Sequence, residues 1–92
     1  MSLNQYKYNV GQRVLVKSDL AMGTRYYMNS GPYANSGWIS PRYVHIMSSG
    51  KVVTIRECNR GYRLEEQPND VVFSDEMFES VVEDGVSFIS LL

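Results

Sequence analysis

Apolar and polar residues alternate most regularly between Gly50 and Val82, in GKVVTIRECNRGYRLEEQPNDVVFSDEMFESVV. Val53 and Ile55 fall on one side of an extended chain, and Val52, Thr54, Arg56 and Cys58 on the other. Asn59-Arg60-Gly61 is turn material, with Gly61 the residue expected at positive φ. Tyr62 and Leu64 return on the core side, with Arg63 and Glu65 outside. Gln67-Pro68-Asn69-Asp70 predicts a second turn, and 71–73 a short strand. Ser74 is placed to cap a single helical turn whose first residues, Asp75 and Glu76, suit a positive helix N-terminus. Met77 and Phe78 follow on that turn, with Phe78 assigned to the core, and 79–82 reads as the last strand.

The front half is less regular. In GQRVLVK, Val14 and Val16 share a face with Val10, and Arg13, Leu15 and Lys17 take the other. Tyr6, Tyr8 and Val10 also alternate, which predicts an extended N-terminal arm. Residues 18–49 then form a connection long enough to carry function or hidden structure. Ser40-Pro41 reads as a helix start and Gly50 as its stop. Tyr43, Val44 and Met47 mark one apolar face of a short helix over 41–48. The rest of the connection, TRYYMNSGPYANSGW, has no periodicity. The order of elements predicts a mainly β fold. It is a small SH3-like five-stranded barrel, with a short helix in the long first loop and a 3-10 turn before the last strand. Residues 1–92 make a single domain: core 10–82, arm 1–9 and an apolar tail over 83–92. In that tail Val86, Phe88, Ile89, Leu91 and Leu92 call for cover, which makes Phe88, Ile89, Leu91 and Leu92 the candidate contacts of a homo-oligomer.

Charge changes the picture through its distribution. All nine Lys and Arg lie in residues 1–63 with two acids, whereas 64–92 holds eight acids and no base. A basic nucleic-acid face with an acidic tail is one reading. Charge pairing between neighbouring strands is the other, and the alternation of acidic and apolar residues over 62–82 favours it. Cys58 is the only cysteine, so no intrachain disulfide forms and a reducing cytoplasm is the expected location. No apolar run has the length of a membrane span, the start has no signal-peptide pattern, and Met1-Ser2-Leu3 reads as a cloning remnant.

Four segments, VGQRVLVKSDL at 10–20, YVHIMSSGKVVTI at 43–55, YRLEE at 62–66 and FSDEMFESV at 73–81, resemble small uncharacterised SH3-like barrel proteins of phage and prophage type from Gram-positive bacteria. Such proteins often carry tryptophan where this chain has Phe73. The resemblance implies the barrel and no activity. Gly-Lys-Val-Val-Thr-Ile is also similar to part of a KOW motif, the glycine-centred strand of ribosomal and transcription factors.

Catalytic constellations are not evident. His45 is the sole histidine, expected as an exposed polar residue of the helix, and neither a Ser-His-Asp nor a Gly-x-Ser-x-Gly pattern is present. Cys58 and His45 fall short of the four ligands of a structural zinc site, and no phosphate-cradling glycine pattern appears. Cys58 lies near Arg56 and Arg60, which would lower its pKa, yet an ordinary half-exposed strand cysteine is the simpler assignment. The sequence therefore predicts no enzyme, no cofactor and no metal, but an interaction module that binds a protein partner or itself. The candidate partner-binding residues are Tyr26, Tyr27, Tyr33 and Trp38, since aromatics on a loop beside a barrel can hold an extended peptide. Their alternative use is to cover the barrel end as satellite core. The other reading is a nucleic-acid-binding accessory protein. Arg42, Arg56, Arg60 and Arg63 would then supply backbone charge within a basic set that includes Arg13, Lys17 and Lys51.

Overall fold

Six strands, one helix and one 3-10 turn follow one another in the computed structural model, which describes residues 5–32, 34, 38–68 and 70–83. They are β1 (Arg13–Val16), β2 (Tyr26–Tyr27), β3 (Trp38–Ile39), α1 (Tyr43–Met47), β4 (Val52–Cys58), β5 (Tyr62–Leu64), the 3-10 turn Asp75–Met77 and β6 (Phe78–Glu83). One antiparallel four-stranded sheet runs β5-β4-β1-β6, and β2 and β3 form a separate two-stranded ribbon. A single antiparallel bridge, Tyr62 to Phe73, lies beyond β5. The fold is mainly β, as the alternation predicts. Among the described residues the sheet is open at both ends rather than closed into a barrel.

The core follows the alternation. Val14 and Val16 of β1, Val53 and Ile55 of β4 and Tyr62 and Leu64 of β5 are all buried. Val14 pairs with Val53, and Ile55 with Leu64. Each aliphatic of this set contributes about 1.5–3 kcal/mol by burial, and a slip of one residue would expose them together. Phe73 and Phe78 stack at 5.8 Å, and the rings of Tyr8 and Tyr62 meet Phe78 at 5.4 and 5.5 Å.

Several expectations need correcting. Val10 does not share the face of Val14: it is 61% exposed, in a tight turn closed by Gln12 N–H to the Asn9 carbonyl, with Gly11 at φ 93°. The arm before it folds back along the core, burying Tyr8 and half-burying Tyr6. In β4 the register shifts between Ile55 and Glu57. Arg56 is therefore the extra residue of a bulge, and beyond it the faces exchange. That shift turns Glu57 outward and packs Cys58 against the core. At the hairpin tip Arg60, not Gly61, takes positive φ (67°). The helix begins after Arg42 rather than at Pro41. No Ser40 cap is used, because the His45 ring supplies the acceptor: its Nδ1 takes the Arg42 N–H at 2.9 Å. Ser74 likewise makes no cap hydrogen bond, and Phe78 opens β6 rather than ending the turn. Met77 and Phe78 are both buried.

Helix α1 turns only part of its expected face inward. Val44 packs against the core and His45 is buried, while Tyr43 and Met47 are 69% and 55% exposed. The cause is local: the His45 ring satisfies two backbone groups at once, Arg42 N–H through Nδ1 and the Val72 carbonyl through Nε2 at 2.9 Å. It also meets Phe73 edge-on at 4.7 Å. A buried ring with both nitrogens paired outweighs the burial of a tyrosine and a methionine on so short a helix. The proposed tail contacts Phe88, Ile89, Leu91 and Leu92 lie outside the described residues.

Candidate interaction surface

The long connection is not free of the sheet. Its organising group is Asp75, the first residue of the 3-10 turn and 2% exposed. Oδ1 accepts the Tyr62 hydroxyl at 2.5 Å, and Oδ2 accepts the Asn29 N–H at 2.7 Å and the Ser30 hydroxyl at 2.8 Å. Next to it, Glu76 Oε1 accepts the Tyr27 N–H at 2.8 Å. Two adjacent carboxylates thus hold the Tyr27 and Asn29 N–H groups and the Ser30 hydroxyl, donors that a bare loop would leave to water. Tyr62 extends the network, since its hydroxyl also receives the Tyr8 N–H at 3.2 Å. The Ser30 hydroxyl in turn receives the Lys7 N–H at 2.8 Å.

The N-terminal arm completes the mounting. Gly31 N–H donates to the Gln5 carbonyl at 3.0 Å, and the Tyr6 hydroxyl accepts the Arg60 N–H at 2.9 Å. Gly31 is required twice over. Its φ is 80°, and a Cβ there would lie 2.7 Å from the Tyr6 ring.

The pinned segment carries the aromatic candidates. Tyr26 and Tyr27 form β2, paired with Ile39 and Trp38 of β3 in that order. Tyr26 packs against the core, half-buried, and its hydroxyl accepts the Ala21 N–H at 3.4 Å. It is cover for the core, the alternative use expected for these rings. Tyr27 is 40% exposed. Position 38 lies directly opposite it on the ribbon. Tyr33 lies outside the described residues.

The arginine candidates do not form one group by element. Arg56, Arg60 and Arg63 belong to the β4–β5 hairpin and Arg42 to the start of α1. Arg63 Nη1 donates to the Asn59 carbonyl at 2.8 Å and so braces the hairpin tip. Arg56 Nη2 is buried. The other two candidates for reactivity are Cys58 and His45. Burial first, then the Asp75 and Glu57 charges, pushes the Cys58 thiol up, and its Sγ lies 3.5 Å from the Tyr8 carbonyl. Burial lowers the His45 pKa below 6.5, and the Arg42 charge acts the same way against the Val72 carbonyl. The exposed polar histidine expected on this helix is thus a buried one. Tyr62 is raised well above the ordinary tyrosine value, by burial first and then by donating to Asp75.

The residues missed in the sequence are Asp75, Tyr62, Ser30 and Asn29 acting together. Asp75 follows a serine at the start of a turn, where a dipole-facing acid and a buried acceptor look alike. Only the path of the loop distinguishes them. Among the described residues no three His, Cys, Asp or Glu side chains are grouped to hold a metal ion, and no helix is long and apolar enough to cross a membrane. No family model, curated protein or solved structure matches the chain.

Proposed function

We propose that this chain is a non-catalytic interaction module whose β2–β3 ribbon binds an extended segment of a protein partner. The observation that carries the reading is the mounting of the ribbon. Asp75 and Glu76 hold the backbone at Tyr27 and Asn29 and the Ser30 hydroxyl while Tyr27 is left 40% exposed. Binding residues are commonly found on loops held by a rigid scaffold, and an aromatic anchor ordered beforehand loses little entropy on binding. We take the architecture to be an SH3-like five-stranded barrel of the phage and prophage type. The Tyr62–Phe73 bridge supports this by marking a strand position beside β5, and the 3-10 turn before β6 agrees with it. The lone cysteine supports a reducing, cytoplasmic setting.

The test is a pull-down from host extract with the wild-type chain and with Tyr27→Ala and Trp38→Ala variants, followed by titration of the purified partner. A partner bound by wild type and lost by at least one variant is the expected result. A partner held equally by all three chains would refute the ribbon as the surface. Binding of single-stranded RNA or DNA that weakens steeply with salt and depends on Arg42, Arg56, Arg60 and Arg63 would establish the nucleic-acid reading instead.

A further inference from the structure

Outside the ribbon, the outward turn of Met47 on α1 leaves a largely apolar groove. Val44 and Met47 of the helix, Val52 and Val53 of β4, and Glu66 and Gln67 beyond β5 line a cleft of about 380 Å³. Ser48 and Lys51 complete the lining, and Lys51 and Glu66 are its exposed charged residues. Glu66 Oε1 accepts the Thr54 N–H at 2.9 Å, Gln67 Nε2 donates to Ser48 Oγ at 3.2 Å, and Ser48 Oγ donates to the Val44 carbonyl at 3.2 Å. Its exposed apolar parts are Met47, 55% accessible, and Val52, 36% accessible, and Val52 pairs across the sheet with half-buried Leu15. One exposed charge of each sign gives a charged ligand no net advantage, and the apolar walls between favour an apolar segment.

This chain carries such a segment. Residues 85–92, GVSFISLL, contain no charge and five large apolar residues, Val86, Phe88, Ile89, Leu91 and Leu92. Their reach is set by the sheet. Glu83 pairs with Arg13, and Arg13 pairs on its other side with Thr54, two residues from Val52. With strands about 4.8 Å apart and about 3.4 Å per residue, Val52 lies roughly 12 Å from Glu83. Phe88 is five residues past Glu83, a span of up to about 17 Å in extended chain. Such a short tether also gives the segment of the same chain a millimolar effective concentration, which favours it over the segment of a second copy. We propose that the groove between α1 and β4 is the docking site of the chain's own segment 86–92, with Phe88 set against Met47 and Val52.

The test uses the full chain with its methionine methyls labelled. Replacing Phe88 and Leu91 by serine shifts the Met47 methyl resonance by several linewidths and leaves that of Met22, an exposed loop residue, in place. Light scattering shows a monomer before and after the change. In parallel, chymotryptic cleavage at Phe88 is about tenfold faster in Met47→Asp than in wild type, because cleavage follows the open population. Amide spectra of the core verify folding in each variant. An unmoved Met47 methyl or an unchanged cleavage rate would overturn the proposal. So would a dimer that the serine changes convert to monomer, since the segment would then occupy a second copy.

Discussion

The Asp75 carboxylate accepts three hydrogen bonds while 2% exposed, so its removal leaves buried donors without partners. Asp75→Asn keeps one acceptor oxygen and loses the charge. It is expected to destabilise the fold by about 2 kcal/mol, and Asp75→Ala by at least about 3 kcal/mol. Urea denaturation of both measures the difference, and equal stability with wild type would show that the network contributes nothing. His45 gives a pH signature. Its folded pKa lies below the unfolded value of 6.5, so the unfolded state binds the proton first as the pH falls. Stability is therefore constant above about pH 7.5 and declines as the pH drops through 6.5 towards the depressed folded value. Denaturation midpoints from pH 8 to 5.5 check this, with the decline reduced in a His45→Asn chain. Tyr62 acts at the opposite end of the scale. Its pKa is raised, so its contribution is complete below pH 10 and is lost as the pH rises above it.

At the scale of elements, the question is how the ribbon is held. Gly31 lies at φ 80° with no room for a Cβ against Tyr6, so Gly31→Ala must both strain the backbone and displace a ring. A loss of more than about 2 kcal/mol is expected, with faster amide exchange in residues 27–30 than in β1 or β4. A change confined to the sheet, sparing 27–30, would contradict the role given to the arm. The strands were legible in the sequence because Val14, Val16, Val53, Ile55, Tyr62 and Leu64 obey one period, and burial enforces it. The orientation of the helix was legible only in part. Tyr43, Val44 and Met47 advertised an apolar face, but in a five-residue helix two backbone hydrogen bonds to His45 turn Tyr43 and Met47 outward and leave Val44 on the core. The β4 bulge was equally hidden, since one extra residue, Arg56, leaves the apolar pattern before it intact while reversing the face of Cys58. The network at Asp75 was out of reach for a further reason. Its partners, Asn29, Ser30 and Tyr62, come from segments 13–46 residues away along the chain, and no local pattern marks them as neighbours.

The whole molecule divides its charged and aromatic residues between support and surface. Tyr6, Tyr8, Tyr62, Phe73 and Phe78 are joined by edge-on and stacked contacts, and Asp75 links that cluster to the ribbon. Of the two ribbon tyrosines, Tyr27 is the one that the core does not consume. A module of this kind should bind through its ribbon and be weakened when the ribbon's anchor is loosened, even where the anchor touches no ligand. The most direct measurement is a calorimetric titration of one peptide, selected on the wild-type chain from a random library, against wild type, Tyr27→Ala and Asp75→Asn. The account predicts at least a tenfold loss of affinity, about 1.4 kcal/mol, for Tyr27→Ala, and a smaller loss with a larger entropic penalty for Asp75→Asn. Unchanged affinity for Tyr27→Ala, with binding abolished instead by alanine at Arg56, Arg60 and Arg63, would contradict it.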